Sequence, residues 1–422
     1  MLDIRLIRDQ PDLVKARLAS RGSGMDGAVD TLLAADLKRR EVETQLQSLQ
    51  AERNRLSKEI GTLRSGGRDT TSIEAEVKSR AAEMQALSQQ GALLDREQRD
   101  LLLNLPNLPL ETAPIGPDSS HNPVVRTWGQ RNDSGRVEDH VSIVTRLDLI
   151  DFDRASKMSG GGFACFKGKG ARLERALINF LLDLHTREHS YTEVSPPFLI
   201  RPEALLGTAN LPKFEEQLYR IERDSLFLAP TAEVPLTNLH REEILPFPTL
   251  PLRYTAYTPC FRREAGAAGV GTRGLIRMHQ FDKVELVKIC EPGTSAAELE
   301  TLTADAERVL QILGLHYRVI DLCTGDLSFG AAKTYDIEVW SPGQNAFLEV
   351  SSCSNFGDFQ ARRMNMRYKG EDGKNRFCHT LNGSGTALAR LYVALLETGL
   401  RDDGAVDLPK PLHAYFGASV ID

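Results

Sequence analysis

The sequence predicts an α+β protein in two parts: a long antiparallel α-helical coiled-coil arm, then a domain built on an antiparallel β-sheet flanked by helices. Three observations point there. No proline occurs between Val29 and Leu105, and apolar residues recur in that stretch at heptad-like steps. Prolines then crowd the segment from Pro106 to Pro123. Beyond Trp128, short β-type runs alternate with helical ones. A chain of 422 residues also exceeds what one hydrophobic core usually organises.

Within the arm, Val42, Leu46, Leu49, Leu56, Ile60 and Leu63 form the first apolar stripe, with Arg53 at the one skipped core position. The turn formers Arg64 to Thr70, with Gly66 and Gly67 among them, separate it from a second stripe of Ile73, Val77, Met84, Leu87, Leu94 and Leu101. Two helices of roughly 30 residues, folded back on each other, would be on the order of 45 to 50 Å long. Between Asp30 and Asn104 stand 12 Lys and Arg against 13 Asp and Glu, so the arm is not a basic rod. By itself such a hairpin reads first as a dimerisation or spacer element. The domains expected are an arm over 1–104, a linker over 105–125 and a second domain over 126–422.

Composition bounds the setting. No run of 18 uncharged apolar residues occurs, and the first dozen residues carry Asp3, Arg5, Arg8, Asp9 and Asp12 in place of an apolar signal core. A soluble, cytoplasmic protein with no membrane association is expected. Six cysteines without a Cys-x-x-Cys spacing read as free thiols in a reducing compartment. The net charge of -6 gives no sign of a nucleic-acid partner, which needs local Lys and Arg.

The second domain opens with a helical face, Leu173, Leu177, Phe180, Leu181 and Leu184, feeding a strand over Tyr191 to Ser195 that Pro196 and Pro197 stop. Next comes Tyr257-Thr258-Pro259-Cys260-Phe261-Arg262-Arg263-Glu264, a glycine-rich loop over Ala265 to Gly274, and the run Arg277 to Leu286. Two strands joined by a loop would hold these side chains on one surface. An arginine there suits a triphosphate, since its planar fork donates paired hydrogen bonds and stays charged. Phe281 could stack on a base. An isolated Arg-x-Glu would be an ordinary surface hairpin. Near the C-terminus, Leu381-Asn382-Gly383-Ser384-Gly385-Thr386-Ala387-Leu388-Ala389-Arg390 combines glycines that allow close backbone approach with an arginine on the first turns of a helix.

These three segments, in this order, resemble motifs 1, 2 and 3 of class II aminoacyl-tRNA synthetases. From Leu2-Asp3-Ile4-Arg5 to Leu408-Pro409-Lys410-Pro411 the chain is similar to the bacterial type of seryl-tRNA synthetase, with Thr231-Ala232-Glu233-Val234-Pro235 matching its serine-binding signature. The resemblance implies a class II synthetase catalytic domain. It implies ATP as substrate with Mg2+, L-serine, tRNA(Ser) and tRNA(Sec) as partners, and a homodimer whose arm reaches the tRNA on the other subunit. Thr231, Glu233, Glu285 and Ser384 would bind serine. Arg262 and Arg390 would be catalytic. ATP would meet Arg262, Arg263, Glu264, Phe281, Glu349, Val350, Ser351, Ser352 and Arg390, and the metal Glu349 and Ser352.

Three positions depart from the family pattern: Ala387 where a third glycine is common, Gly162 where a basic residue precedes Phe163, and the linker Gly116-Pro117-Asp118-Ser119-Ser120-His121-Asn122. Two other readings stay open at this point, a class II-like ligase with a non-tRNA acceptor and a non-catalytic coiled-coil RNA-binding protein.

Overall fold

The structure, a computed structural model, describes residues 1–22, 24–131, 137–265 and 274–422. It divides into two compact units, Leu2–Pro106 and Met1 with Asn107–Asp422.

The first unit opens with two short helices, Ile4–Asp9 and Pro11–Ala19. Its bulk is α1 (Asp26–Ser65) and α2 (Thr71–Asn104), of 40 and 34 residues, so about 60 and 50 Å long. Gly67, at φ +69°, supplies the left-handed turn between them. Along the seam Val42, Leu56 and Met84 are buried, whereas Leu46, Leu49, Ile60 and Leu63 are half-buried, which is as much as two helices can cover for each other. The wholly buried carboxylate of Asp36 accepts from Arg8 Nε at 3.0 Å, Arg40 Nε at 3.0 Å and Gln98 Nε2 at 2.8 Å. It thereby ties the N-terminal helices to α1 and α2.

In the second unit one sheet contains β1 (Val124–Trp128), β2 (Thr192–Glu193), β3 (Leu252–Phe261), β4 (Gln280–Cys290), β5 (Tyr317–Asp321), β6 (Lys333–Ser341), β7 (Ala346–Asn355) and β8 (His379–Ala387). Their order is β1-β5-β6-β7-β8-β4-β3-β2, antiparallel throughout except between β2 and β3. The strand expected after the motif 1 helix is reduced to the two residues of β2, because Pro196 and Pro197 cannot donate to a ladder. Residues 107–124 are not free of the fold. Asn107 N–H donates to Phe329 O at 2.9 Å, Leu110 N–H to Ala332 O at 2.8 Å, and Pro114 O accepts from Thr324 N–H at 2.8 Å.

Three helices, α3 (Lys169–Arg187), α4 (Ser295–Leu313) and α5 (Leu388–Thr398), cover one face of the sheet. Leu173, Leu177, Leu302, Val309, Leu391 and Leu395 pack there with Val284, Leu286, Ile337, Val339 and Val350. Alternation then fixes what faces the other way. If Val284 and Leu286 point to the helices, Phe281, Lys283 and Glu285 point to the opposite face.

Two irregularities break this alternation. In β7 the pairing runs Ile337↔Ser351 and then Glu338↔Glu349, so Val350 is an extra residue. In β8 it runs Ser384↔Glu285 and then Ala387↔Lys283, three residues against two. Each β-bulge reverses the parity of its strand. Glu349 therefore joins Ser352 and Ser354, and Ala387 joins Asn382 and Ser384, on the face of Lys283 and Glu285.

Candidate active site

That face is the floor of a cavity of about 660 Å³. At one end lies a compact polar cluster. Thr231 precedes the short helix Glu233–Thr237, and its hydroxyl does two things: it accepts from Glu233 N–H at 3.2 Å and donates to Glu285 Oε2 at 2.8 Å. The local helix-start contact is the ordinary role of such a threonine, and the second bond is what joins it to the sheet. Glu285, 1% exposed, also forms an ion pair with Lys283. Ser384 is paired directly across the strands from Glu285.

Glu233 opens on the same cavity, and Gln360 Nε2 donates to its Oε1 at 2.8 Å, itself held by Thr380 Oγ1 at 2.7 Å. Burial, and after it the neighbouring charge of Glu285, push the Glu233 carboxyl up to about 7. Two carboxylates beside one lysine leave an acidic surplus, the complement of an ammonium group.

Further along stand the arginines. Arg262 extends from the end of β3, its guanidinium 5.2 Å from the centre of the Phe281 ring and its Nε donating to Pro230 O at 3.2 Å. Glu264 pairs with Arg277 at 3.3 Å, and both line the cavity. Arg390, on the first turn of α5, donates from Nη1 to Glu349 O at 2.7 Å and from Nε to Ile276 O at 3.3 Å, while the Glu349 carboxylate lies 3.7 Å away. It thus stitches α5 to both β7 and the segment entering β4.

The cavity brings together Thr231, Glu233, Arg262, Glu264, Phe281, Glu285, Glu349, Ser352, Ser384 and Arg390. Three expected nucleotide contacts stand apart from it as side chains. Val350, displaced by the bulge, is 1% exposed in the helix-side core, and Ser351 faces that side too, its hydroxyl donating to Ser384 O at 2.6 Å. Arg263 is exposed, and its backbone N–H donates to Gln217 O at 2.9 Å. The β7 bulge accounts for Val350 and Ser351, and Arg263 lies past the end of β3. Most of the glycine-rich loop, residues 266–273, lies outside the described residues. Sequence reading missed Lys283 and Gln360. Lys283 sits two residues from both Phe281 and Glu285, the period that puts all three on one face, so it was recoverable; Gln360 was not, since 127 residues separate it from Glu233.

The donor set fits a hard divalent cation. Glu349 and the Ser352 hydroxyl share one face, beside a half-buried Asp336 whose carboxyl is raised by desolvation and then by Glu349, and whose Oδ1 has no hydrogen-bond partner among the described residues. No three His, Cys, Asp or Glu converge on a metal position among the described residues. A partial shell of this kind suits an ion that keeps waters and takes its remaining ligands from substrate phosphates.

The departures have local reasons. Gly162, at φ +80°, passes over the ring of His279, where a Cβ would lie 2.5 Å from Cδ2, and its carbonyl accepts from His279 N–H at 2.9 Å. Ala387 has φ -73°, so the position makes no demand for glycine. In the linker variant, Asp118 Oδ1 accepts from Ser120 N–H at 3.0 Å and Asn122 Oδ1 from Cys323 N–H at 2.9 Å. All six cysteines are free, and no helix among the described residues is long and apolar enough to cross a membrane.

Residues 1–109 match the Seryl-tRNA synthetase N-terminal domain, and residues 214–399 match the tRNA synthetase class II core domain (G, H, P, S and T). The chain is 54% identical to a serine–tRNA ligase of Akkermansia muciniphila, covering 100% of this chain and 99% of that protein. It is 50% identical to one of Pelotomaculum thermopropionicum, covering 99% of each. Among solved structures, the seryl-tRNA synthetase of Pyrococcus horikoshii complexed with ATP superposes with a TM-score of 0.94 at 37% identity, over 100% of this chain and 99% of that one. A bulged sheet that gathers two arginines and an acidic cluster, joined to a helical hairpin and matched end to end by these relatives, means that the chain belongs to the seryl-tRNA synthetase family of class II aminoacyl-tRNA synthetases.

Proposed function

We infer that the protein is a serine–tRNA ligase, which activates L-serine with ATP and then transfers it to tRNA. One observation carries the reading: a single cavity combines an acidic cluster, Thr231, Glu233 and Glu285, with two arginines suited to phosphates, Arg262 and Arg390. The names of the full-length relatives and the ATP held by the Pyrococcus enzyme support it.

In the proposed mechanism Glu233 and Thr231 hold the ammonium of serine, while Glu285 and Ser384 receive its hydroxyl. A pocket whose buried groups want that hydroxyl rejects alanine by about 10⁴-fold or more. Arg262 bridges the serine carboxylate and the α-phosphate, aligning a carboxylate oxygen with phosphorus. As that bond forms, the bond to the β-phosphate oxygen breaks and pyrophosphate leaves. No side-chain nucleophile takes part. The rate comes from alignment and from charge neutralisation by Arg262 and Arg390. Glu264 and Phe281 hold the adenine, with Arg263, Val350 and Ser351 contributing through their backbones. Glu349 and Ser352 would hold Mg2+, which supplies further neutralisation of the phosphates when bound. The terminal ribose hydroxyl of the tRNA then attacks the seryl carbonyl and AMP departs.

Residues 1–104 are read as the tRNA-binding arm, 105–125 as the linker and 126–422 as the catalytic domain of a cytoplasmic homodimer, each arm serving the tRNA on the other subunit. Both tRNA(Ser) and tRNA(Sec) are proposed acceptors. RNA helices are recognised largely by shape and backbone contacts, for which a mixed-charge arm is adequate. Pyrophosphate exchange into ATP with serine, alanine, threonine and glycine, followed by charging of each tRNA, tests the whole scheme. The expected result is serine-dependent exchange that Arg262→Ala abolishes; near-normal exchange by that variant would overturn the role of Arg262.

A further inference from the structure

Behind the cavity lies a buried pair that the mechanism above does not use. His140, at the start of the short helix His140–Arg146, and Glu397, on the last turns of α5, have side chains only 2% and 0% exposed. Glu397 Oε1 accepts from the backbone N–H of His140 at 3.0 Å and lies 3.3 Å from its Nδ1. The other oxygen, Oε2, accepts from Gly343 N–H at 3.0 Å and from the Ser341 hydroxyl. The far edge of the imidazole is also engaged, since His140 Nε2 accepts from the backbone N–H of Leu275 at 3.2 Å. A nitrogen that accepts an amide hydrogen carries no proton, so the ring proton sits on Nδ1, facing the carboxylate.

Leu275 begins the segment that enters β4, and Leu275, Ile276, Arg277 and Met278 line the cavity beside Arg390. The segment comes down hard on the imidazole: Gly274 has φ +71°, and a Cβ there would lie 2.2 Å from His140 Nε2. One residue later, Ile276 O accepts from Arg390 Nε. The chain entering β4 is thus fastened at two adjacent residues to α5, once directly through Arg390 and once through Glu397 and His140.

We propose that His140, oriented by Glu397, is a positioning residue that fixes the cavity wall Leu275–Met278 relative to Arg390 and so sets the affinity for ATP. Neither residue lines the cavity, and the effect on nucleotide passes wholly through the Leu275 amide. The inference rests on reading that part of the cavity as the ATP site.

Two near-isosteres separate this role from simple core packing. In His140→Gln the terminal amide oxygen can reach the place of Nε2 and accept from Leu275. In His140→Asn the shorter amide reaches only the place of Nδ1, keeping a bond to Glu397 and leaving the Leu275 N–H buried without an acceptor. Pyrophosphate exchange at varied ATP and varied serine, with melting curves, is the measurement. His140→Asn is expected to raise the KM for ATP about tenfold, with the KM for serine within twofold of wild type, while His140→Gln restores the ATP value to within about threefold. Glu397→Gln, whose NH2 must face donors on one side, provides a second variant with the same split. Unchanged ATP KM in His140→Asn and Glu397→Gln overturns the proposal, as does an equal rise in both KM values that tracks the loss of melting temperature in Asn and Gln alike. Wild-type protein that exchanges no pyrophosphate would instead overturn the ATP reading beneath it.

Discussion

The titration of Glu233 makes serine binding depend on pH in a defined direction. Its carboxyl lies near 7 in the free protein, raised by burial and then by Glu285. Serine keeps its ammonium charged between pH 6 and 8, so the form of the site that binds it is the one with Glu233 ionised. About a tenth of the protein is in that form at pH 6 and about nine-tenths at pH 8. The KM for serine should therefore be about tenfold higher at pH 6 than at pH 8, and binding at pH 6 should release about one proton. Stability runs the opposite way. A carboxyl raised on folding adds stability that is fully present below the ordinary carboxylate value and is lost as pH rises through about 7. Calorimetric titration of serine in two buffers of different ionisation heat reads the proton directly, without ATP present. Glu233→Gln should bind serine more weakly and lose the pH dependence across this window. A serine affinity that is flat from pH 6 to 8 in the wild type, with no proton released, would refute the assignment of Glu233 as the ammonium partner.

Two further outcomes concern the arm. Deleting residues 36–96 should spare serine-dependent pyrophosphate exchange and abolish tRNA charging, and normal charging by the deleted protein would contradict the arm's role. Asp36→Ala removes the carboxylate on which Arg8, Arg40 and Gln98 converge. With both arginines partly exposed, the expected cost is about 2 kcal/mol, which would lower the melting midpoint of the first unit by on the order of 10 °C in a circular dichroism scan.

What could be read from sequence followed from periodicity and local chemistry. The heptad stripes and the absence of proline gave the hairpin, and the three short motifs with the wider family resemblance gave ten residues that share the cavity. The two-residue period of a strand would have added Lys283, which acts on Glu285 from the same face. Three of the expected residues turn their side chains away from the cavity, for two reasons. The β7 bulge turns Val350 and Ser351 together to the helix side, and Arg263, past the end of β3, is exposed. Gln360, His140 and Glu397 could not be found this way, because their partners are brought close only by tertiary packing, across 127, 135 and 257 residues.

The two bulges carry a consequence for how this site tolerates change. Glu349 and Ser352 are three apart in sequence, an odd interval that a regular strand would send to opposite faces, and the single surplus residue Val350 makes them neighbours. The cation position consequently depends on the bulge as well as on residue identity. Exchanging Val350 for another apolar residue alters only how the core is filled, and excising it would leave Glu349 and Ser352 two apart, the interval of a regular strand, still on one face. In this strand and in β8 the surplus residue is absorbed on the core side, so the chain carries an odd spacing between cavity-facing residues without moving either of them off the floor.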